Sequence, residues 1–105
     1  MVAAIVSSRR DELAGLCRRF RVARLEVFGS AADGTFDPES SDLDFLVTYE
    51  SLSPGDHYES YFGLWEGLQE LFTRKIDLVE PGAMRNPYFI RSVNESRKTL
   101  YDAKS

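Results

Sequence analysis

Asp42 and Asp44 stand two residues apart in the run Ser41-Asp42-Leu43-Asp44-Phe45-Leu46-Val47, which is otherwise rich in strand formers. Side chains alternate along a strand, so both carboxylates project from one face and Leu43, Phe45 and Val47 from the other. Acids held this close repel, and each raises the other's pKa unless a cation lies between them. A divalent ion with oxygen ligands is the cation such a pair suits, and phosphate oxygens are its common further ligands. Upstream, Leu25-Glu26-Val27-Phe28 reads as a strand that Gly29-Ser30 breaks, and the small residues Ala31-Ala32 suit the start of a short helix. A further acid, Asp77, lies in Lys75-Ile76-Asp77-Leu78-Val79, where Ile76 and Leu78 face away from it. Glu80, three residues on, points to the opposite face and is the poorer partner for the pair.

Each acid has a plain structural explanation when taken singly. Asp42 can end a turn, Asp44 can pair with an arginine, and Asp77 can charge an edge strand. Three acids in two strands behind a Gly-Ser turn favour metal binding instead.

These residues need a scaffold, and 105 residues give one domain that buries roughly two-thirds of its unfolded surface. The spacing predicts a helix from Ser7 onward, with Ser8 to Asp11 as a capping box and Leu13, Leu16, Cys17 and Phe20 as its apolar stripe. Cys17 falls in that stripe and reads as a packing thiol. Arg18, Arg19, Arg21 and Arg24 form a basic cluster that reads as a solvated helix end. Val22 to Phe28 is the first strand, Asp33 to Ser41 a polar loop, and Leu43 to Tyr49 the second strand. Glu50 to Asp56 is a turn. From Asp56 a helix carries Tyr58, Tyr61, Phe62, Trp65, Leu68, Leu71 and Phe72 as a core-facing band. His57, the single histidine, has no role in this reading. The strand with Asp77 follows this helix, so a crossover can place it beside the second strand, with Asp77 next to Asp42 and Asp44. Asn86 then caps a helix that opens with Pro87, Ile90 and Val93 dock it, and Lys98 to Tyr101 adds a short strand. Asp102 to Ser105 is expected to fray. The fold class is therefore α+β, with a mixed sheet of three or four strands backed by helices.

A net charge of −4 argues against direct nucleic-acid binding, which needs a basic face. A single cysteine excludes an intramolecular disulfide and fits a reducing compartment, and no stretch reads as a signal peptide or membrane span. The expectation is a cytoplasmic protein without membrane contact.

Gly-Ser, eleven intervening residues and Asp-x-Asp, set between two strands, resembles the nucleotidyltransferase superfamily to which DNA polymerase beta belongs. At this length the chain is most similar to the minimal nucleotidyltransferases, the MntA-type antitoxins encoded beside HepT-type toxins of the HEPN family. The likeness runs from about Leu13 to Tyr101. It implies that Asp42, Asp44 and Asp77 are the catalytic carboxylates and hold Mg²⁺, two ions in all. Gly29, Ser30 and Ser41 would bind the nucleotide. Gly29 would let backbone approach the phosphates, and Ser30 would offer its hydroxyl and N–H at a helix start. ATP would be the donor, and AMP would pass to a tyrosine of a HEPN-type toxin, in a hetero-oligomer with it, silencing the toxin. One position departs from the pattern Gly-Ser-x-x-Arg-Gly: Asp33 stands where the arginine is usual. Two other readings stay open. One is an antitoxin that neutralises its partner by covering it, with a degenerate site. The other is a small-molecule nucleotidyltransferase, for which the chain is short.

Overall fold

The structure is a computed structural model that describes residues 1–104. A short helix, α1 (Ala4–Ser7), leads into α2 (Arg10–Arg19), followed by strand β1 (Val22–Phe28) and the single turn of α3 (Ser30–Asp33). Strand β2 (Leu43–Tyr49), the long helix α4 (Pro54–Phe72) and strand β3 (Ile76–Val79) come next. A 3₁₀ turn at Pro81–Ala83, helix α5 (Pro87–Ser96) and strand β4 (Lys98–Asp102) complete the domain. The sheet order is β3-β2-β1-β4. β2 and β3 run parallel through the α4 crossover, and the other pairs are antiparallel.

Alternation along the strands divides the core. Leu25, Val27, Leu43, Phe45, Val47, Ile76 and Leu78 pack with Leu13 and Cys17 of α2 and with Leu64, Leu68 and Phe72 of α4. Burial pushes the Cys17 thiol up to about 12, which makes it an inert packing group. On the opposite face Phe28 and Leu46 meet Val93 of α5, with Val79 and Met84 beside them. Glu26 also faces this side and is only 2% exposed. Arg97, just after α5, reaches it with two hydrogen bonds, Nε to Oε2 at 2.8 Å and Nη2 to Oε1 at 2.7 Å. No described helix is long and apolar enough to cross a membrane.

Several boundaries differ from the sequence reading. Ser8 does not cap a helix: it takes helical dihedrals at the end of α1, where its N–H bonds Ala4 O at 3.0 Å. An N-cap needs extended backbone, and α2 begins after Arg9 without a capping side chain. α4 starts at Pro54 rather than Asp56, because Ser53 caps it by accepting from Asp56 N–H and proline suits a first helical position. Its aromatic band is only partly core-facing, since Tyr58 and Phe62 are 66% and 42% exposed. β4 extends to Asp102, and Ala103 N–H still bonds Ala23 O at 2.9 Å, so the chain does not fray at these residues. Ser105, the end of the expected frayed tail, lies outside the described residues. The Asn86 cap is as expected, with Oδ1 accepting from Tyr88 and Phe89 N–H.

α4 also fastens itself to the rim of the sheet. Tyr61 Oη donates to Leu78 O at 2.6 Å, and Trp65 Nε1 donates to Ile76 O at 3.2 Å. Tyr49, at the far end of β2, is less well served. Its hydroxyl is buried with no hydrogen-bond partner among the described residues, and burial with the nearby Glu80 charge raises its pKa. Tyr49→Phe keeps the ring against His57 (centroids 5.3 Å apart) while removing that hydroxyl. Urea titration should show stability unchanged or raised by about 1 kcal/mol. A clear loss would reveal a partner for the hydroxyl.

Candidate active site

The β2–β3 register pairs Asp44 with Asp77, and on its other side Asp44 pairs with Phe28 of β1. Parallel strands in register turn equivalent side chains to the same face, so the two carboxyls meet across the sheet. Burial comes first among the causes that raise the Asp44 pKa from its ordinary 3.8 to about 7. Hydrogen bonding and charge from Asp77 add to it, as does the charge of Asp42, while Lys75 opposes them. This is the signature of acids gathered with too little positive charge.

Gly29 abuts this pair. It has φ +71° and ψ −148°, a region open essentially to glycine alone, and a β-carbon built there would lie 2.6 Å from Asp44 Oδ2. Ser96 of α5 fixes the turn by accepting from Gly29 N–H at 2.9 Å, and its own hydroxyl donates to Ser92 O. Gly29→Ala therefore strains the backbone and pushes Asp44 out of register with Asp77. The expected result is a loss of about 1–3 kcal/mol in stability and the loss of nucleotide binding, read by denaturant titration and calorimetry. Normal binding by this variant would mean that Asp44 need not sit where it does.

Asp42 arrives from the loop before β2, and Arg74 holds that loop. Its guanidinium donates to Ser41 O and Pro38 O, both at 3.0 Å, and lies over the Phe36 ring. The Ser41 hydroxyl accepts from Asp37 N–H at 2.9 Å, so the loop's own turn uses it. The Asp42 carboxylate sits 3.7 Å from Lys75 Nζ. Asp33 is equally committed, because its carboxylate accepts from Thr35 N–H and Thr35 Oγ1, which hold its pKa low. His57 has a partner after all, in Glu80 Oε1 at 2.7 Å.

The structure thus brings Gly29, Asp44 and Asp77 together, with Ser30 opening α3 directly behind them. Asp42 stands at the edge of the group, beside Lys75. Among the described residues no three acids, histidines or cysteines are gathered tightly enough to close around an ion. Asp44 and Asp77 nonetheless offer adjacent hard oxygen donors, the type Mg²⁺ prefers. They open into a cleft of about 480 Å³, whose walls include Phe28, Trp65, Lys75 and Phe89. Sequence reasoning missed Arg74, Lys75 and Ser96. Only Lys75 left a signal: it stands two residues before Asp77, on the same side of the chain's alternation.

Comparison with known proteins agrees with this architecture. The family described as Nucleotidyltransferase domain matches residues 11–100. A Methanocaldococcus jannaschii protein named "Putative protein adenylyltransferase" is 35% identical over 80 residues, covering 76% of this chain and 78% of its own length. A solved structure described as a "putative minimal nucleotidyltransferase" superposes with a TM-score of 0.65 at 29% identity, covering 93% of this chain and 95% of that one. A complex of the Shewanella oneidensis tri-AMPylated HEPN toxin with its MNT antitoxin contains a chain that superposes with a TM-score of 0.59. That match covers 93% of this chain and 73% of the other at 18% identity, and speaks for the fold alone. Sequence match and sheet order converge, and the chain belongs to the nucleotidyltransferase domain family.

Proposed function

We propose that this nucleotidyltransferase moves AMP from ATP to a tyrosine hydroxyl of a partner HEPN-type toxin and thereby neutralises it. The observation that carries this reading is the Asp44–Asp77 pair, in register and short of positive charge, against the Gly29 turn. In the reaction the acceptor oxygen bonds to the α-phosphorus, the bond to the β-phosphate oxygen breaks, and pyrophosphate leaves with its electrons. The hydroxyl proton passes to solvent or a nearby base. Mg²⁺ held by Asp42, Asp44 and Asp77 would supply charge neutralisation for the triphosphate and activation of the hydroxyl. The chain's own part is positioning, which is most of what phosphoryl-type transfer asks of a protein. The Gly29 turn lets the Asp44 carboxylate sit against its backbone, and Ser30 would present a hydroxyl to the phosphate oxygens. The adenylyltransferase name of the relatives and the toxin complex among the structural neighbours support this donor and acceptor.

A second reading is a binding module that neutralises the toxin by covering it. It is favoured by the Asp42–Lys75 pairing and by Asp33, which is locked in its own turn. Intact-mass spectrometry of a candidate HEPN-type toxin, incubated with the chain, ATP and Mg²⁺, separates the two. Transfer adds one or more adenylyl masses to the toxin. A toxin neutralised without gain in mass leaves the binding module standing.

A further inference from the structure

Among the described residues Lys75 is the one basic side chain lining the acid cleft. It sits at the start of β3, where its carbonyl accepts from Leu43 N–H at 3.3 Å and so ties the backbone of the two acid strands together. Its side chain is 69% exposed, and among the described residues only the 3.7 Å contact with Asp42 holds the ammonium in place. A long, flexible cation in so acidic a cleft offsets part of its negative charge. The loop that could have brought a second cation carries Asp33 instead, spent on Thr35. When a metal takes the acids, the ammonium loses its partner while still standing at the cleft wall. A nucleoside triphosphate brings it another, in oxygens that carry more charge than bound metal neutralises.

We infer that Lys75 exchanges partners: it holds Asp42 while the cleft is empty, and grips the donor's phosphates once metal has taken the acids. This rests on the reading of ATP as donor. The exchange gives one substitution two effects of opposite sign. Lys75→Gln removes a cation that competes with metal, so Mn²⁺ alone should bind several-fold tighter. It also removes a charged phosphate contact, so a non-hydrolysable ATP analogue with Mg²⁺ should bind about tenfold more weakly. Lys75→Arg should restore analogue binding. Isothermal titration of the three proteins reads both ligands, and circular dichroism checks that the exposed substitution leaves the fold intact. Tighter Mn²⁺ with undiminished analogue affinity would leave Lys75 a mere counter-ion and overturn the exchange. Unchanged Mn²⁺ affinity would overturn its first half. Wild type that fails to bind the analogue would sink the donor reading itself, a result distinct from either.

Discussion

Asp44→Asn should reduce nucleotidyl transfer by on the order of 10³-fold while the metal-free protein becomes no less stable. Asparagine keeps the shape of the side chain and removes the charge through which a metal would be held. In the metal-free fold that charge is a burden, because the carboxyl titrates near pH 7 and not at its ordinary 3.8. Between these values the folded protein keeps a proton that the unfolded chain has released, so unfolding releases protons. Stability contributed by this group is therefore full below about pH 4 and declines as pH rises towards 7. Thermal melts across that range, in the presence of a chelator, should show the decline in wild type relative to Asp44→Asn. Mg²⁺ should offset it in wild type alone, since an ion that binds only the native state stabilises by mass action. Parallel pH curves for the two proteins would show that Asp44 is not crowded by its neighbours. Retained transfer would remove it from the chemistry.

Arg97→Met should cost more stability than any single change at the acids. It strands Glu26, buried in the sheet, with only Arg24 Nε at 3.4 Å as a remaining cation. Breaking a buried ion pair from one side costs about 3–5 kcal/mol, and the half-exposed Arg24 puts this case towards the lower end. For a domain of this size that is a fall of more than ~12 °C in melting temperature. Adding Glu26→Leu should recover much of it, because a matched apolar pair replaces the stranded charge. If the double variant is no better than the single one, the loss lies in α5 packing and not in the unpaired carboxylate. The pair also has a pH signature opposite to that of Asp44. Hydrogen bonding from Arg97 lowers the Glu26 pKa, so its contribution is present near neutrality and is lost as pH falls through the acid range. Arg97 follows Ser96 directly, so loosening it also frees the serine that holds the Gly29 turn.

What the sequence made legible was local or periodic. A strand–helix–strand order gave the crossover that brings Asp77 alongside Asp44, whereas Asp42, expected on the same strand face, ends the loop before β2 and stands beside Lys75. The Asn86-Pro87 cap was readable because every atom it uses lies within three residues. What stayed hidden depends on contacts far apart in the chain. The Arg74 hold on Pro38 and Ser41 spans more than thirty residues, and the Ser96 hold on Gly29 spans 67. No periodicity announces such bonds. Asp33 stands where the arginine is usual, and its carboxylate serves the next turn through Thr35, a role that the departure alone did not reveal. The Ser41 hydroxyl also accepts from Asp37 N–H within its loop, a use the sequence did not announce. Tyr58 and Phe62 match the helical band in hydrophobicity, but the stripe wraps further round α4 than the sheet can cover.

The seal that Tyr61 and Trp65 place on β3 would constrain how the proposed acceptor protein arrives. The outward carbonyls of Ile76 and Leu78 are the acceptors an extended peptide would need in order to lengthen the sheet beside Asp77. With both occupied, β-augmentation along this rim, a common way to capture unstructured segments, is blocked next to the acids. The remaining route is over the sheet face, where a guest meets side chains and offers no backbone ladder. An acceptor hydroxyl borne by a helix or a compact, already folded surface suits that route. A floppy strand loses the main-chain hydrogen bonds that would have offset the cost of ordering it.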